Sequence, residues 1–157
     1  MNRNIIFSIA FILFAQLLFS QVNKININNS QYISQSAYID ENGFEVTSFD
    51  INENISDGVY QVYIDESFET LYLKGTIFNG ERNGKWYFYS LEGDLLRICQ
   101  YDNGVKEGKE SLFNLNGLII EERFYSQDQL NGQRKFYNSD GSVREIQVYK
   151  DGIYQKQ

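Results

Sequence analysis

The chain has 157 residues and a mass of 18.4 kDa, enough for one domain. Its 14 Lys+Arg stand against 21 Asp+Glu, a net charge of −7, which disfavours nucleic acid and anionic membranes because both are recognised through Lys and Arg. With no His, no Pro and one Cys, the chain cannot build a Ser-His-Asp or Cys-His nucleophile pair, a His/Cys zinc site or an intramolecular disulfide, and no cofactor is expected.

Met1-Asn2-Arg3-Asn4 is a short positive start, and Ile5 to Phe19 is a 15-residue run broken only by Ser8 and Gln16. The run falls short of the roughly 18 apolar residues of a spanning helix. Residues 1–21 therefore read as a secretory signal peptide cut after Ser20 or Gln21, with an uncleaved N-terminal anchor as the alternative. Lipid attachment at that point is excluded, because the only cysteine is Cys99. Removal of residues 1–21 takes away only Arg3 among the charges and leaves a net of −8. The expected destination is the periplasm, the outer envelope or the exterior of a bacterial cell. Cys99 reads as a small apolar filler rather than a reactive thiol.

Residues 22–35, rich in Asn, Ser and Gln, read as a polar spacer or a loose first strand; Lys24 to Asn28 alternates polar and apolar as an edge strand does. Residues 36–74 read as degenerate β-repeats. Asp40-Glu41-Asn42-Gly43 suggests a turn, and Gly58-Val-Tyr-Gln-Val-Tyr63 suggests a repeat start displaced by two residues. Irregular terminal repeats are normal, because the ends of an array must be capped.

From residue 75 a 24-residue period organises the chain. Gly84 to Gly93, Gly108 to Gly117 and Gly132 to Gly141 align without a gap. Tyr101, Tyr125 and Tyr149 keep the same spacing, as do Gly80, Gly104, Asp128 and Gly152. Tyr89, Phe113 and Tyr137 form an aromatic column, and Leu95, Ile119 and Val143 an aliphatic one.

Each unit reads as a β-hairpin. Leu91-Glu92-Gly93, Leu115-Asn116-Gly117 and Ser139-Asp140-Gly141 are three-residue loops ending in glycine, the signature of a type I turn followed by a left-handed residue. That turn pairs Tyr89 with Leu95, Phe113 with Ile119 and Tyr137 with Val143, aromatic opposite aliphatic. Continued regularly, it pairs Tyr87 with Arg97, Ser111 with Glu121 and Lys135 with Glu145. The expected fold is all-β: an elongated, open antiparallel β-meander of repeated hairpins, about ten strands, over residues 22–157.

The pattern Tyr-x-x-Gly-x-x-x-Gly, an aromatic strand and an Asn/Asp-Gly turn resembles the MORN repeat, and more closely the MORN-variant repeats of the YwqK-like antitoxin family of bacteria. Gly80, Gly84, Trp86, Tyr89 and Gly93 carry it in one unit, and Tyr101, Gly104, Gly108, Phe113 and Gly117 in the next. Tyr125, Gly132, Tyr137, Gly141, Tyr149 and Gly152 carry it in the last. The resemblance is good over about residues 75–152 and poor over 36–74. It implies a hairpin array used for protein contacts.

Other chemistry reads weakly. Asp65-Glu66 and Glu121-Glu122 point to opposite faces of their strands, and Glu121 and Glu145 stand roughly 10 Å apart in what reads as a solvated charge column. Asn138 to Gly141 and Asp102 to Gly104 hold oxygen ligands but are ordinary turn vocabulary. No metal site and no enzyme is expected. The aromatics carry the functional reading. The even-numbered face holds Trp86, Phe88, Leu96 and Ile98, the odd-numbered face Tyr87, Tyr89, Leu95 and Tyr101. A single sheet cannot bury both, so it folds over or meets a partner. Aromatic density peaks at Trp86, Tyr87 and Phe88, the expected centre of a protein-binding surface. Stacking of sugars on Tyr and Trp, or a structural envelope role, is the alternative. Two free sheet edges also permit self-association.

Overall fold

The computed structural model describes residues 22–29, 31–39, 45–52 and 55–156. The signal-peptide segment 1–21 and the turn expected at Asp40–Gly43 lie outside the described residues. The chain is all-β, and no helix occurs among the described residues. The strands are β1 (Val22–Asn26), β2 (Ile33–Ile39), β3 (Glu45–Ile51), β4 (Gly58–Tyr63), β5 (Leu71–Phe78), β6 (Glu81–Tyr89) and β7 (Leu95–Asp102). They continue with β8 (Val105–Phe113), β9 (Ile119–Ser126), β10 (Gln129–Leu130), β11 (Gly132–Tyr137), β12 (Val143–Lys150) and β13 (Ile153–Tyr154).

Eleven of these form one open sheet in the order β1-β4-β5-β6-β7-β8-β9-β11-β12-β13, with β10 beside β9. From β4 onward every pairing is antiparallel between neighbouring strands. Two features depart from a pure meander. Strand β1 pairs parallel with β4, Ile25 opposite Val62. Strands β2 and β3 leave the main sheet and pair only with each other. The crossover from β1 to β4 is long because it contains that hairpin.

Two turn types alternate. Asn79-Gly80, Asn103-Gly104, Gln127-Asp128 and Asp151-Gly152 have positive φ at both residues, as two-residue hairpin turns with the native sheet twist require. The three-residue tips close as expected: Ser90 N–H donates to Asp94 O at 2.7 Å, Asn114 N–H to Leu118 O at 2.9 Å and Asn138 N–H to Ser142 O at 2.9 Å. The tips of β4–β5, β6–β7, β8–β9 and β11–β12 line one rim, and the two-residue turns line the other.

The tips give the pairs Tyr89–Leu95, Phe113–Ile119 and Tyr137–Val143. The next pairs differ from the regular continuation. A β-bulge follows each tip, so Phe88 meets Arg97, Leu112 meets Glu121 and Phe136 meets Glu145. Tyr87 therefore faces Ile98 rather than Arg97, Ser111 faces Glu122, and Lys135 faces Ile146. One extra residue on the outgoing strand exchanges the faces of everything beyond it. Trp86 thus shares a face with Cys99 and Tyr101, and Tyr87 with Ile98, which corrects the simple odd–even division.

The column Gly80, Gly104, Asp128 and Gly152 joins the units. Gly104 N–H donates to Arg82 O at 3.0 Å, Asp128 N–H to Lys106 O at 3.1 Å and Gly152 N–H to Leu130 O at 2.9 Å, while Gly80 N–H reaches Asp57 Oδ1 at 3.0 Å. Each turn is thereby tied to the preceding unit.

The core lies at the N-terminal end, on one face of the sheet. Ile25, Tyr60, Val62, Leu73, Ile77, Trp86, Cys99 and Tyr101 are buried there with Ile27. Ile33 and Ile51, from the base of the β2–β3 hairpin, complete it. Arg82 of β6 forms an ion pair with Asp50 of β3. Gly75 supplies the space for Trp86: a Cβ built on it would lie 2.1 Å from indole Cδ2.

Two glycine substitutions separate space from backbone. Gly75→Ala drives a methyl into Trp86 and is expected to cost about 1–3 kcal/mol of unfolding free energy. A Cβ added at Gly117 meets nothing within 4 Å but sits at φ +75°, so Gly117→Val is expected to cost chiefly the left-handed strain of about 1–2 kcal/mol. Urea denaturation measures both; a neutral Gly75→Ala contradicts the packing assigned to Trp86.

Candidate functional site

The three aromatics expected to anchor a partner do not share one surface. Trp86 is fully buried. Its ring lies 4.5 Å from the Arg82 guanidinium and edge-on to Tyr101 at 6.4 Å, and its indole N–H has no hydrogen-bond partner. A partner cannot reach it in this fold. Tyr87 points to the opposite face, half-buried, with Lys74 Nζ 4.7 Å from its ring. Phe88 returns to the Trp86 face, half-buried beneath Arg97 at 3.8 Å. Alternation along one strand separates the three.

The inner face beyond the core is polar and ordered. Across the sheet one row runs Phe88, Arg97, Leu112, Glu121, Phe136, Glu145, alternating apolar and charged. The adjacent row runs Trp86, Cys99, Glu110, Arg123, and Arg134 opposite Gln147 occupies its place in the last unit. Trp86, Glu110 and Arg134 are the same repeat position, as are Cys99, Arg123 and Gln147. One slot is thus apolar in the covered unit and ionic in the units beyond.

Glu110 is fully buried at the centre of this network. It accepts from Lys106 Nζ at 3.2 Å, Arg123 Nη1 at 3.3 Å, Tyr125 Oη at 3.2 Å and Arg97 Nη1 at 3.5 Å. Glu121 accepts from Arg123 Nη2 at 3.0 Å and from the Nε groups of Arg123 and Arg134, both at 2.5 Å. Burial pushes the Glu121 carboxyl up, but the hydrogen bonds from Arg123 and Arg134 outweigh it and hold its pKa below the ordinary value. Burial likewise opposes the charge on Lys106, and the field of Glu110 reverses that to a raised pKa. Arg134 also lies 4.6 Å from the Phe136 ring. On the opposite face Glu122 accepts from Lys109 Nζ at 2.8 Å and Tyr137 Oη at 2.7 Å. The Glu122 hydrogen bond, with burial second, raises the Tyr137 phenol to about 12. These side chains are fixed by their partners, as a preorganised surface requires.

The remaining named residues lie at turns and in strand pairs. Gly93, Gly117 and Gly141 close tips at positive φ. Gly84, Gly108 and Gly132 stand in strands opposite Tyr101, Tyr125 and Tyr149. Tyr101 is buried in the core, and Tyr149 donates to Gln147 Oε1 at 2.9 Å. Phe113 and Tyr89 are half-buried beside the tips. Glu110 was not legible as a site residue. Its one signal is the column Trp86–Glu110–Arg134, where a position changes character from unit to unit. Among the described residues no group of His, Cys, Asp or Glu is arranged to hold a metal ion, and no helix is long and apolar enough to cross a membrane. In comparisons with protein-family models, curated proteins and solved structures, the chain has no match in any of the three.

Two measurements probe this network. Glu110→Ala leaves Arg97 and Lys106 without their buried counter-charge and Arg123 with Glu121 alone; because those cations are partly exposed, the expected loss of stability is about 2 kcal/mol. Burial, then the field of Glu110, pushes the Cys99 thiol from 9.0 up to about 11. The folded state therefore holds a proton that the unfolded state releases. Stability from this group is intact below pH 9 and is lost as pH rises toward 11. Native protein at pH 8 should resist a thiol reagent that labels the unfolded chain fully, and Cys99→Ala should lose less stability between pH 9 and pH 11 than the wild type. Rapid native labelling counts against the burial of Cys99.

Proposed function

We propose that this chain is an exported, non-catalytic protein-interaction module of the MORN-variant type, with an antitoxin- or immunity-like role in the cell envelope or outside the cell. The observation that carries the reading is the row Phe88, Arg97, Leu112, Glu121, Phe136, Glu145. It alternates apolar and charged groups held by cation–π contacts and ion pairs, with Glu121 buried between its arginines and the others at least partly exposed. Such a surface suits a protein partner: aromatic and Arg groups are the usual anchors of protein contacts, and those held in place lose little entropy on binding. Three further features support it. The 24-residue period coincides with a repeated structural unit of tip, bulge and tied turn. The chain has no His and a single Cys, so His-based nucleophile pairs and His/Cys metal sites are closed to it. The apolar run at Ile5–Phe19 suits export.

Capture with the tagged full chain from the envelope and medium of the producing cell, read by mass spectrometry, tests this. The expected result is one stoichiometric protein. Phe136→Ala, at the uncovered end of the row, should weaken that complex about tenfold or more, as loss of an aromatic anchor does. No retained protein, or unchanged affinity in Phe136→Ala with the fold intact, sinks the reading or its location.

A further inference from the structure

The two rims of the sheet are chemically unlike. The two-residue turns carry polar residues, and segments 78–82, 102–106, 126–130 and 150–154 balance four carboxylates against three Lys or Arg. The tip segments 64–70, 90–94, 114–118 and 138–142 carry six carboxylates and no Lys or Arg. None of the six forms an ion pair among the described residues. The same rim exposes large apolar side chains at successive tips: Phe68 is 38% exposed, Leu91 58%, Leu115 69% and Leu118 45%. Leu91 and Leu115 are equivalent positions one repeat apart. Neighbouring tips stand two strands apart, about 10 Å. The first two touch, since a Cβ on Gly93 would lie 3.5 Å from Thr70 Cγ2.

We propose that this tip rim, with Phe68, Leu91, Leu115 and Leu118 as apolar anchors, docks a protein partner whose contact surface combines apolar pockets with Lys or Arg. The proposal rests on the interaction reading above and names the partner's chemistry. Nothing in the turn geometry requires leucine at Leu91 or Leu115. Serine fills the equivalent position, Ser139, and its tip closes with the same hydrogen bonds. The exposed leucines are therefore free for another use. The charge selects the partner: a second copy docking rim to rim would bring the same acidic charge and be repelled, and so would an anionic surface.

The probe is a labelled amphipathic peptide of leucine and lysine, titrated with the full chain and read by fluorescence anisotropy. A leucine–glutamate peptide is the charge control. The leucine–lysine peptide should bind, weaken as salt is raised, and bind at least about tenfold less well to Leu91→Ser/Leu115→Ser. Glu92→Gln/Asp94→Asn, whose side chains do not hold their turn, should lower both the affinity and its salt dependence. Ile153→Ser, removing a residue 68% exposed toward the opposite rim, should bind as the wild type does. Equal binding of the two peptides, or undiminished binding by Leu91→Ser/Leu115→Ser, overturns the proposal. So does a dimer that Leu91→Ser/Leu115→Ser dissolves in sedimentation, since the occupant is then a second copy. Binding to uncharged phosphatidylcholine vesicles lost in the same variant overturns it in favour of a membrane. In the capture experiment, a native partner kept in full by both rim variants overturns the rim and leaves the interaction reading standing. No native partner, with the leucine–lysine peptide still bound at the rim, faults the interaction reading instead.

Discussion

Everything on the inner face depends on the β-bulge that follows each three-residue tip. A strand alternates its side chains strictly, so one added residue exchanges inside for outside along the rest of the strand. Because residues 96, 120 and 144 are the additions, Arg97, Cys99 and Tyr101 turn inward with Phe88 and Trp86. Without the bulge Cys99 and Tyr101 would face the side of Tyr87, and the core around Trp86 would lose two of its walls. The same shift in the next unit brings Glu121, Arg123 and Tyr125 to the face of Glu110, and in the last unit Glu145 and Gln147 to that of Arg134. The ionic network and the hydrophobic core are two outcomes of one backbone device.

The difference between those outcomes follows from cover. The core that holds Trp86 and Cys99 also includes Ile33 and Ile51 from the base of the β2–β3 hairpin, so apolar residues are favoured there. Farther along, the equivalent positions are Glu110 and Arg134, then Arg123 and Gln147. A carboxylate can be fully buried at Glu110 because three cations and a phenol surround it; an unpaired charge there would be strongly disfavoured. The repeat thus preserves geometry while changing chemistry from one end of the array to the other.

The rims divide labour in a similar way. The two-residue turns lie close against the preceding unit and donate their N–H groups to it, Gly104, Asp128 and Gly152 to its backbone and Gly80 to the Asp57 carboxylate, so their residues are constrained by left-handed geometry and by that bond. The tips make their closing hydrogen bonds within themselves, through Ser90, Asn114 and Asn138. That leaves the first loop position unconstrained, and it is where leucine is exposed.

Sequence alone determined what depends on local chemistry and on period. The strand content, the tip glycines, the pairs Tyr89–Leu95, Phe113–Ile119 and Tyr137–Val143, and the order of the hairpins were all legible. A turn's conformation is set by the few residues in it, and a repeat announces itself by spacing. The bulges were not legible, because an extra residue leaves no mark in a column that repeats faithfully with it. The parallel pairing of β1 with β4 and the separate β2–β3 hairpin were not legible either, since strands distant in the chain choose partners by shared burial rather than by neighbouring turns. The exposure of Trp86 went with them: the most aromatic segment looked like a surface only until tertiary structure supplied Gly75 beneath the indole and Arg82 above it. Which face a residue serves, and whether that face is covered, is decided by contacts between distant segments.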